Sequence, residues 1–372
     1  MTLTGREYQH LEDLVFCEDQ GAHRALYILK NLRHFTVSIK WDGNPTIYFG
    51  RNSNGKFTLV GKNGWGKDWI NTPEELEQWT LARGKREPWR PAFAKSLADI
   101  WRLLEPHCNF RGFVYADVLW NPAKPYVLGS RINSIFFYPN QVTYTVHPNT
   151  DLHKEILGSK LGIAVHSKFQ HFGDEVGHPL YKKLEILSDN IVVVPQSVMS
   201  QGIDIPVDMI TALEKKIKKN ESELDALFFH RPGLSDFRDI IYRYVNYMNK
   251  SGDVDELDDL EKFKDWIDIS KLSFNKQGRM RDIINSNKTE FKIMFGIWLD
   301  IVAIKDIIIN AFDKEPSNIS SYSMQPVVGS YGNRASVGGE GYVVQEPKVK
   351  LVPRTRWKPT GISEFDITDL FS

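Results

Sequence analysis

Two blocks of strand-like alternation, far apart in the chain, enclose about 110 residues that carry only helical spacing. Phe35-Thr36-Val37-Ser38-Ile39 alternates apolar and polar residues. Thr46-Ile47-Tyr48-Phe49 and Phe57-Thr58-Leu59-Val60 are β-branched or aromatic runs joined by an Asn52-Ser53-Asn54-Gly55 turn. Strand patterns recur at 113–119, 134–138, 142–147 and 162–167, and again only at 341–345 and 348–352, across a Glu346-Pro347 turn. From 206 to 312 apolar residues such as Met209, Leu213 and Ile217 fall every fourth position, which predicts helices. Shorter helical patterns cover 6–32, 74–105 and 150–160. The economical fold is one α+β domain carrying a helical insertion. Residues 1–205 form the first part of the core, 206–316 the insertion, 317–340 a Ser/Gly/Asn-rich flexible loop, and 341–372 the C-terminal strands of the core.

Composition narrows the partners. Hydrophobic residues make up 41% and charged residues 25%, enough apolar material for a sizeable core. Lys plus Arg number 47, as do Asp plus Glu, so any nucleic-acid groove must be a local positive patch. Cys17 and Cys108 form no CxxC and no metal spacing, which fits a reducing compartment. No stretch reaches the roughly 18 uninterrupted apolar residues of a membrane span; Ile293 to Ile309 is broken by Asp300, Lys305 and Asp306. The N-terminal stretch has acidic residues and no apolar h-region, so it does not read as a signal peptide. A cytoplasmic protein without a membrane partner is expected.

Three local signals carry chemistry. Lys40-Trp41-Asp42-Gly43 ends an alternating strand; alone, KxDG occurs by chance in roughly one chain in ten of this length. Glu340-Gly341-Tyr342-Val343-Val344 is followed across a short turn by Lys348-Val349-Lys350, whose two lysines face one side of a strand. Asp117 interrupts the apolar run Phe113-Val114-Tyr115-Ala116-Asp117-Val118-Leu119, in a setting that disfavours Asp. Each has a plain reading: a surface turn, a solvated hairpin face with weak ion pairs, a strand-end cap. Together, in this order, they arise by chance in well under about one chain in a hundred.

That series resembles the covalent nucleotidyltransferase superfamily of ATP-dependent DNA ligases, RNA ligases and mRNA capping enzymes. Lys40 matches its nucleotidylated lysine, Gly43 its turn glycine, and Val60-Gly61-Lys62-Asn63-Gly64 its next basic motif. Asp117 stands where these enzymes usually carry Glu, and Phe136-Phe137 looks like the strand that stacks on the base. Glu340 and the Lys348/Lys350 pair match the last two motifs. SIKWDGNPTIYFGR, FFYPNQVTYTV, GIAVHSKF and GGEGYVV look like an uncharacterised group of ligase-like proteins of tailed phages. Pro45 occupies the place of an Arg common in ligases, with Arg51 as a candidate substitute on the next strand. Only about 20 residues follow Lys350, too few for the C-terminal OB domain of classical ligases and capping enzymes.

The resemblance therefore implies a nucleotidyltransferase fold of the ATP-grasp-like, antiparallel-sheet type and a polynucleotide ligase acting through lysyl-AMP on Lys40. It implies Lys40, Glu340, Lys348 and Lys350 as catalytic residues. Ile39, Asp42, Gly43, Arg51, Lys62, Asp117 and Phe137 would bind ATP, and Asp117 and Glu340 would hold Mg²⁺ or Mn²⁺. The residue types suit that chemistry. A lysine attacks only as free amine, nearby cations and burial lower its pKa, and the same cations stabilise phosphoryl charge. The expected acceptor is a nucleic acid end, with RNA favoured. A non-nucleic-acid acceptor, or a silent phage protein keeping the fold, are the alternatives. His166 reads as a satisfied core residue or a phosphate contact, and Trp41, Trp65 and Trp69 as core or rim aromatics. The Lys215, Lys216, Lys218, Lys219 run reads as a solvated helix face or a phosphate-backbone contact.

Overall fold

The computed structural model describes residues 9–17, 20–83, 87–129, 133–140, 142–179, 184, 186, 188–194, 197–198, 202–229, 236–314, 319–326, 333–337 and 341–354. Strand β1 (Gln9–His10) leads into helices α1 (Leu14–Cys17) and α2 (Gly21–Lys30). The helix expected over 6–32 is thus a strand and two helices, broken where Gln20 takes the left-handed φ of 55°. Strands β2 (Val37–Ile39), β3 (Thr46–Arg51) and β4 (Phe57–Gly61) follow, then helices α3 (Pro73–Ala82) and α4 (Arg90–Leu104). The start of α3 is written locally: Thr72 caps it by accepting from the Glu75 N–H, and Pro73 fills its first turn. Next come β5 (Gly112–Trp120), β6 (Val127–Leu128), β7 (Ile135–Phe137), β8 (Val142–Val146), α5 (Asp151–Ile156), β9 (Leu161–Phe169), β10 (His178–Pro179), β11 (Ile191–Val193) and β12 (Ser197–Val198). Helices α6 (Val207–Lys219), α7 (Glu221–Phe229), α8 (Phe237–Ser251), α9 (Leu260–Ile269), α10 (Phe274–Ser286) and α11 (Lys288–Lys314) occupy the predicted helical block. Strands β13 (Ile319–Pro326), β14 (Asn333–Val337), β15 (Tyr342–Val344) and β16 (Val349–Leu351) close the described chain.

The strands assemble into three sheets, ordered β1-β16-β15-β2-β12, β10-β9-β5-β3-β4 and β14-β13-β8-β7-β6, with β11 added beside β9. Among the described residues β1–β16 and β11–β9 pair in parallel, and the other pairings are antiparallel. The protein is a mixed α+β fold with predominantly antiparallel sheets.

Three apolar clusters sit between these layers. The β3–β4–β5–β9 sheet packs one face on α3 and α4 through Phe49, Leu59, Leu97 and Trp101. Its other side meets the β7–β8 strands and α5 through Trp41, Trp120, Phe137 and Tyr144. The largest cluster joins Leu14, Leu26 and Leu29 of the N-terminal helices to Ile217, Phe263 and Trp298 of the helical block, and to Val344 and Leu351 of the first sheet. Each fully buried side chain of this kind stabilises by about 1.5–3 kcal/mol. The helical block, expected as an insertion, has its apolar faces completed by residues on both sides of it in sequence. One expectation is corrected here. The expected loop at 317–340 contains β13 and β14, with β13 paired to β8 from Ile319↔Val146 to Ser323↔Val142; its remaining residues lie outside those described.

Candidate functional site

Lys40 stands at the junction of the first two sheets. Strand β2 pairs with β15, Ile39 opposite Tyr342, and the Lys40 N–H donates to the Gly341 carbonyl at 2.9 Å. Gly341 has φ of 104°, and a Cβ there would lie 2.2 Å from the Leu351 carbonyl oxygen, so no other residue fits without displacing β16. Ser38, Val343 and Lys350 form one row across the sheet, and the alternation of strands places Lys40 on the same face as Ser38. Lys350 is therefore turned toward Lys40. Burial first, and then the Lys350 charge, push the Lys40 amine down to about 8, against the pull of Asp42 and Asp117.

The turn after Lys40 is pinned to the second sheet. Asn44 N–H donates to the Val118 carbonyl at 3.0 Å and Val118 N–H to Pro45 at 2.9 Å. A Cβ on Gly43 would sit 2.3 Å from Asp117 Cβ, so glycine is what lets the turn close onto β5. Asp42 is anchored as well. Its carboxylate accepts from Asn140 Nδ2 at 2.8 Å and Val142 N–H at 3.1 Å, while its own N–H donates to Tyr144 Oη at 2.8 Å. Trp41 packs beneath, 4.8 Å from the Tyr144 ring. The KWDG segment is thus a rigid bracket that presents one side chain.

Opposite it, Asp117 accepts from Thr46 Oγ1 at 2.7 Å, and its second oxygen lies 2.9 Å from His166 Nε2. His166 reaches this point through a β-bulge: Tyr115 pairs with Ser167 but Ala116 with Val165, leaving His166 between registers. Sequence reasoning left His166 out of the site, since the bulge depends on how β9 docks on β5. An imidazole one residue out of phase in an apolar strand was the available signal.

The remaining predicted residues divide. Lys62 is exposed and directly follows Gly61, the β4 partner of Ile47, next to the Thr46–Asp117 pair. Lys348 donates to the Gly177 carbonyl at 3.1 Å, spanning from the first sheet to the β10 edge of the second. Arg51 is at the opposite end of β3 from Thr46, and its guanidinium donates to the carbonyls of Cys108, Gly55 and Glu105 at 2.7–2.8 Å. It ties down a loop and does not reach the Lys40 side. Phe137 is 1% exposed, enclosed by Trp41, Trp120 and Tyr144 rings at 4.9–6.4 Å. Its faces are core contacts rather than a stacking platform. Ile39 ends β2 with its side chain half-buried between two apolar clusters. Glu340 lies outside the described residues.

The site thus sets a desolvated lysine facing a second lysine and a carboxylate–imidazole pair on a mixed α+β frame. The chain belongs to a family of unknown function (DUF6267), whose model matches residues 7–358. No curated protein and no solved structure matches it.

Proposed function

We propose that the protein is a nucleotidyltransferase of the polynucleotide-ligase type, with an ATP-grasp-like nucleotidyltransferase fold, that forms lysyl-AMP on Lys40. The observation carrying this reading is the placement of Lys40 and Lys350 on one sheet face, with Asp117 near enough for its charge to act on Lys40. A lysine shifted to about 8 is deprotonated in a substantial fraction at neutral pH, unlike an ordinary lysine near ~10.4. Its neutral Nζ attacks the α-phosphorus of ATP, an N–P bond forms, the bond to the pyrophosphate oxygen breaks, and an amine proton leaves. Lys350, with Lys348 and Lys62 at the rim, stabilises the charge on the phosphoryl oxygens.

Among the described residues no group of three or more His, Cys, Asp or Glu side chains can hold a metal ion. That suits Mg²⁺ or Mn²⁺ arriving with the nucleotide, since Mg²⁺ is commonly held by one or two carboxylates plus phosphates and water. Asp117 would be its carboxylate here, and the ion would neutralise charge on the phosphates. The proposed acceptor of the nucleotide is a nucleic acid end, RNA in preference to nicked DNA. Incubation with α-labelled ATP and Mg²⁺, resolved on a denaturing gel, tests the reading. Wild-type protein carries label, while Lys40→Ala and Lys40→Arg carry none at unchanged melting temperature. Label retained by Lys40→Ala overturns the assignment.

A further inference from the structure

A second concave surface lies on the helical block and shares no residue with the Lys40 side. The C-terminal half of α6 and the first turns of α11 wall a groove of about 570 Å³, open to solvent, whose lining includes Lys215, Lys216, Lys219 and Lys292. Lys215 and Lys219 are four apart on α6 and so share a face. Lys216 is spent on the frame: it donates to the Gly296 carbonyl at 3.0 Å and pairs with Asp300 at 2.6 Å, locking α6 against α11. Lys218 turns away to Glu214 at 3.0 Å. That leaves exposed Lys215, Lys219 and Lys292, which form no ion pair among the described residues; the Lys219 charge helps draw down the Glu223 carboxyl, after that group's hydrogen bonds to Ser222 and its own backbone. No carboxylate lines the groove. Asn220 and Thr289 add short polar groups between the lysines.

In a chain with 47 cationic and 47 anionic residues, three lysines lining one groove without a carboxylate in the lining are a local field, not a by-product of net charge. Small ligands are held in pockets that bury most of their surface, which an open groove does not do. A polymer of phosphates gains instead from several weak contacts at once and from counterion release. The lining contains no aromatic ring, so bases have nothing to stack on.

We propose that the α6–α11 groove binds the phosphodiester backbone of nucleic acid, sequence-independently, through Lys215, Lys219 and Lys292. This gives the proposed ligase a hold on its polynucleotide away from the reacting lysine, but it stands on the groove and not on Lys40. The test is fluorescence anisotropy with a labelled 20-nucleotide RNA and the DNA of the same sequence, single-stranded and duplex, across a salt series. Wild type binds with a slope of log K against log[salt] near about −2, from three contacts of ~0.7 each. The exposed triple variant K215Q/K219Q/K292Q melts as wild type, loses at least about tenfold in affinity at low salt, and has a slope near zero. It still takes label from α-labelled ATP. Unchanged RNA affinity in the triple variant, or loss of affinity in Lys40→Ala instead, overturns the proposal. So does displacement of the RNA by inorganic phosphate at equal phosphate concentration, which marks a small-anion site. Failure of labelling in every protein leaves the binding readout intact and counts only against the lysyl-AMP reading.

Discussion

A lysine that attacks phosphorus must first lose its proton, and the fraction that has done so grows tenfold per pH unit below its pKa. For Lys40 that pKa is about 8, set by burial and by Lys350, with Asp42 and Asp117 pulling the other way. The rate of lysyl-nucleotide formation is therefore expected to climb up to about pH 8 and level off above it. Removing Lys350 takes away a charge that disfavours protonated Lys40, so K350A should move the midpoint upward. Removing the Asp117 charge should move it downward in D117N. Single-turnover labelling across pH reads both shifts, and a K350A midpoint at or below that of wild type would falsify the charge coupling. Lys40 and Lys350 were legible in sequence because strand alternation fixes the side each lysine takes. Arg51 and Phe137 were not. Three backbone carbonyls claim the Arg51 guanidinium, and packing in the second apolar cluster encloses the Phe137 ring. Neither fact is visible in a residue's type or spacing.

At the scale of elements, the turn Lys40–Pro45 is the feature whose form and sequence agree most closely. Asp42 bonds to 140 and 142, residues 44 and 45 zip onto Val118, and Gly43 leaves just enough room for Asp117. In G43A the added methyl meets Asp117 Cβ at 2.3 Å, so the turn or the strand must move. A displacement near 1 Å at a reacting group can cost about 100-fold in rate. G43A should therefore lose labelling by about two orders of magnitude while losing only about 1–3 kcal/mol of stability, the usual range for overpacking. Labelling within a few-fold of wild type sinks the claim that this close approach positions Lys40. The strands flanking this turn announced themselves by β-branched alternation. Strands β13 and β14 did not, since Ser, Gly and Asn dominate 317–339 and local propensity there favours a loop. Pairing of β13 with β8 supplies what composition withholds, and that is a tertiary fact. The bulge that turns His166 toward Asp117 is hidden for the same reason.

At the scale of the whole molecule, a buried ionic cluster joins parts that the sequence separates. Glu12, after β1, accepts from Lys305 of α11 at 2.7 Å and from Arg354, beyond β16, at 2.6 Å. Asp13 accepts from Trp298 Nε1 at 3.0 Å and bonds Arg354, which also reaches Asn246 of α8 at 3.3 Å. Glu12 and Lys305 are 0% exposed. Burial alone raises the Glu12 carboxyl, yet Lys305 and Arg354 hold it well below the usual carboxylate range. His10, beside Lys350 on the sheet, is held well below its ordinary value by burial and then by Arg354. The signs of these two shifts agree. His10 stays neutral in the fold while the unfolded chain takes up a proton below about pH 6.5, so stability declines as pH falls from there. Glu12 adds a further loss below its unfolded value near about 4.3. Asp13, raised by burial, offsets part of the carboxylate loss. Because the cluster touches the first sheet, α8 and α11 together, the helical block and that sheet should unfold in one transition rather than two. E12A leaves Lys305 and Arg354 short of a buried partner, a change that typically costs about 3–5 kcal/mol. That is a large part of the roughly 5–15 kcal/mol of an ordinary protein. Urea unfolding followed by far-UV circular dichroism and by tryptophan fluorescence should give coincident curves for wild type, both displaced to lower urea in E12A. Two separated transitions would show that the helices and the sheet bearing Lys40 do not unfold as one unit, and an E12A shift confined to one probe would show that this cluster does not couple them.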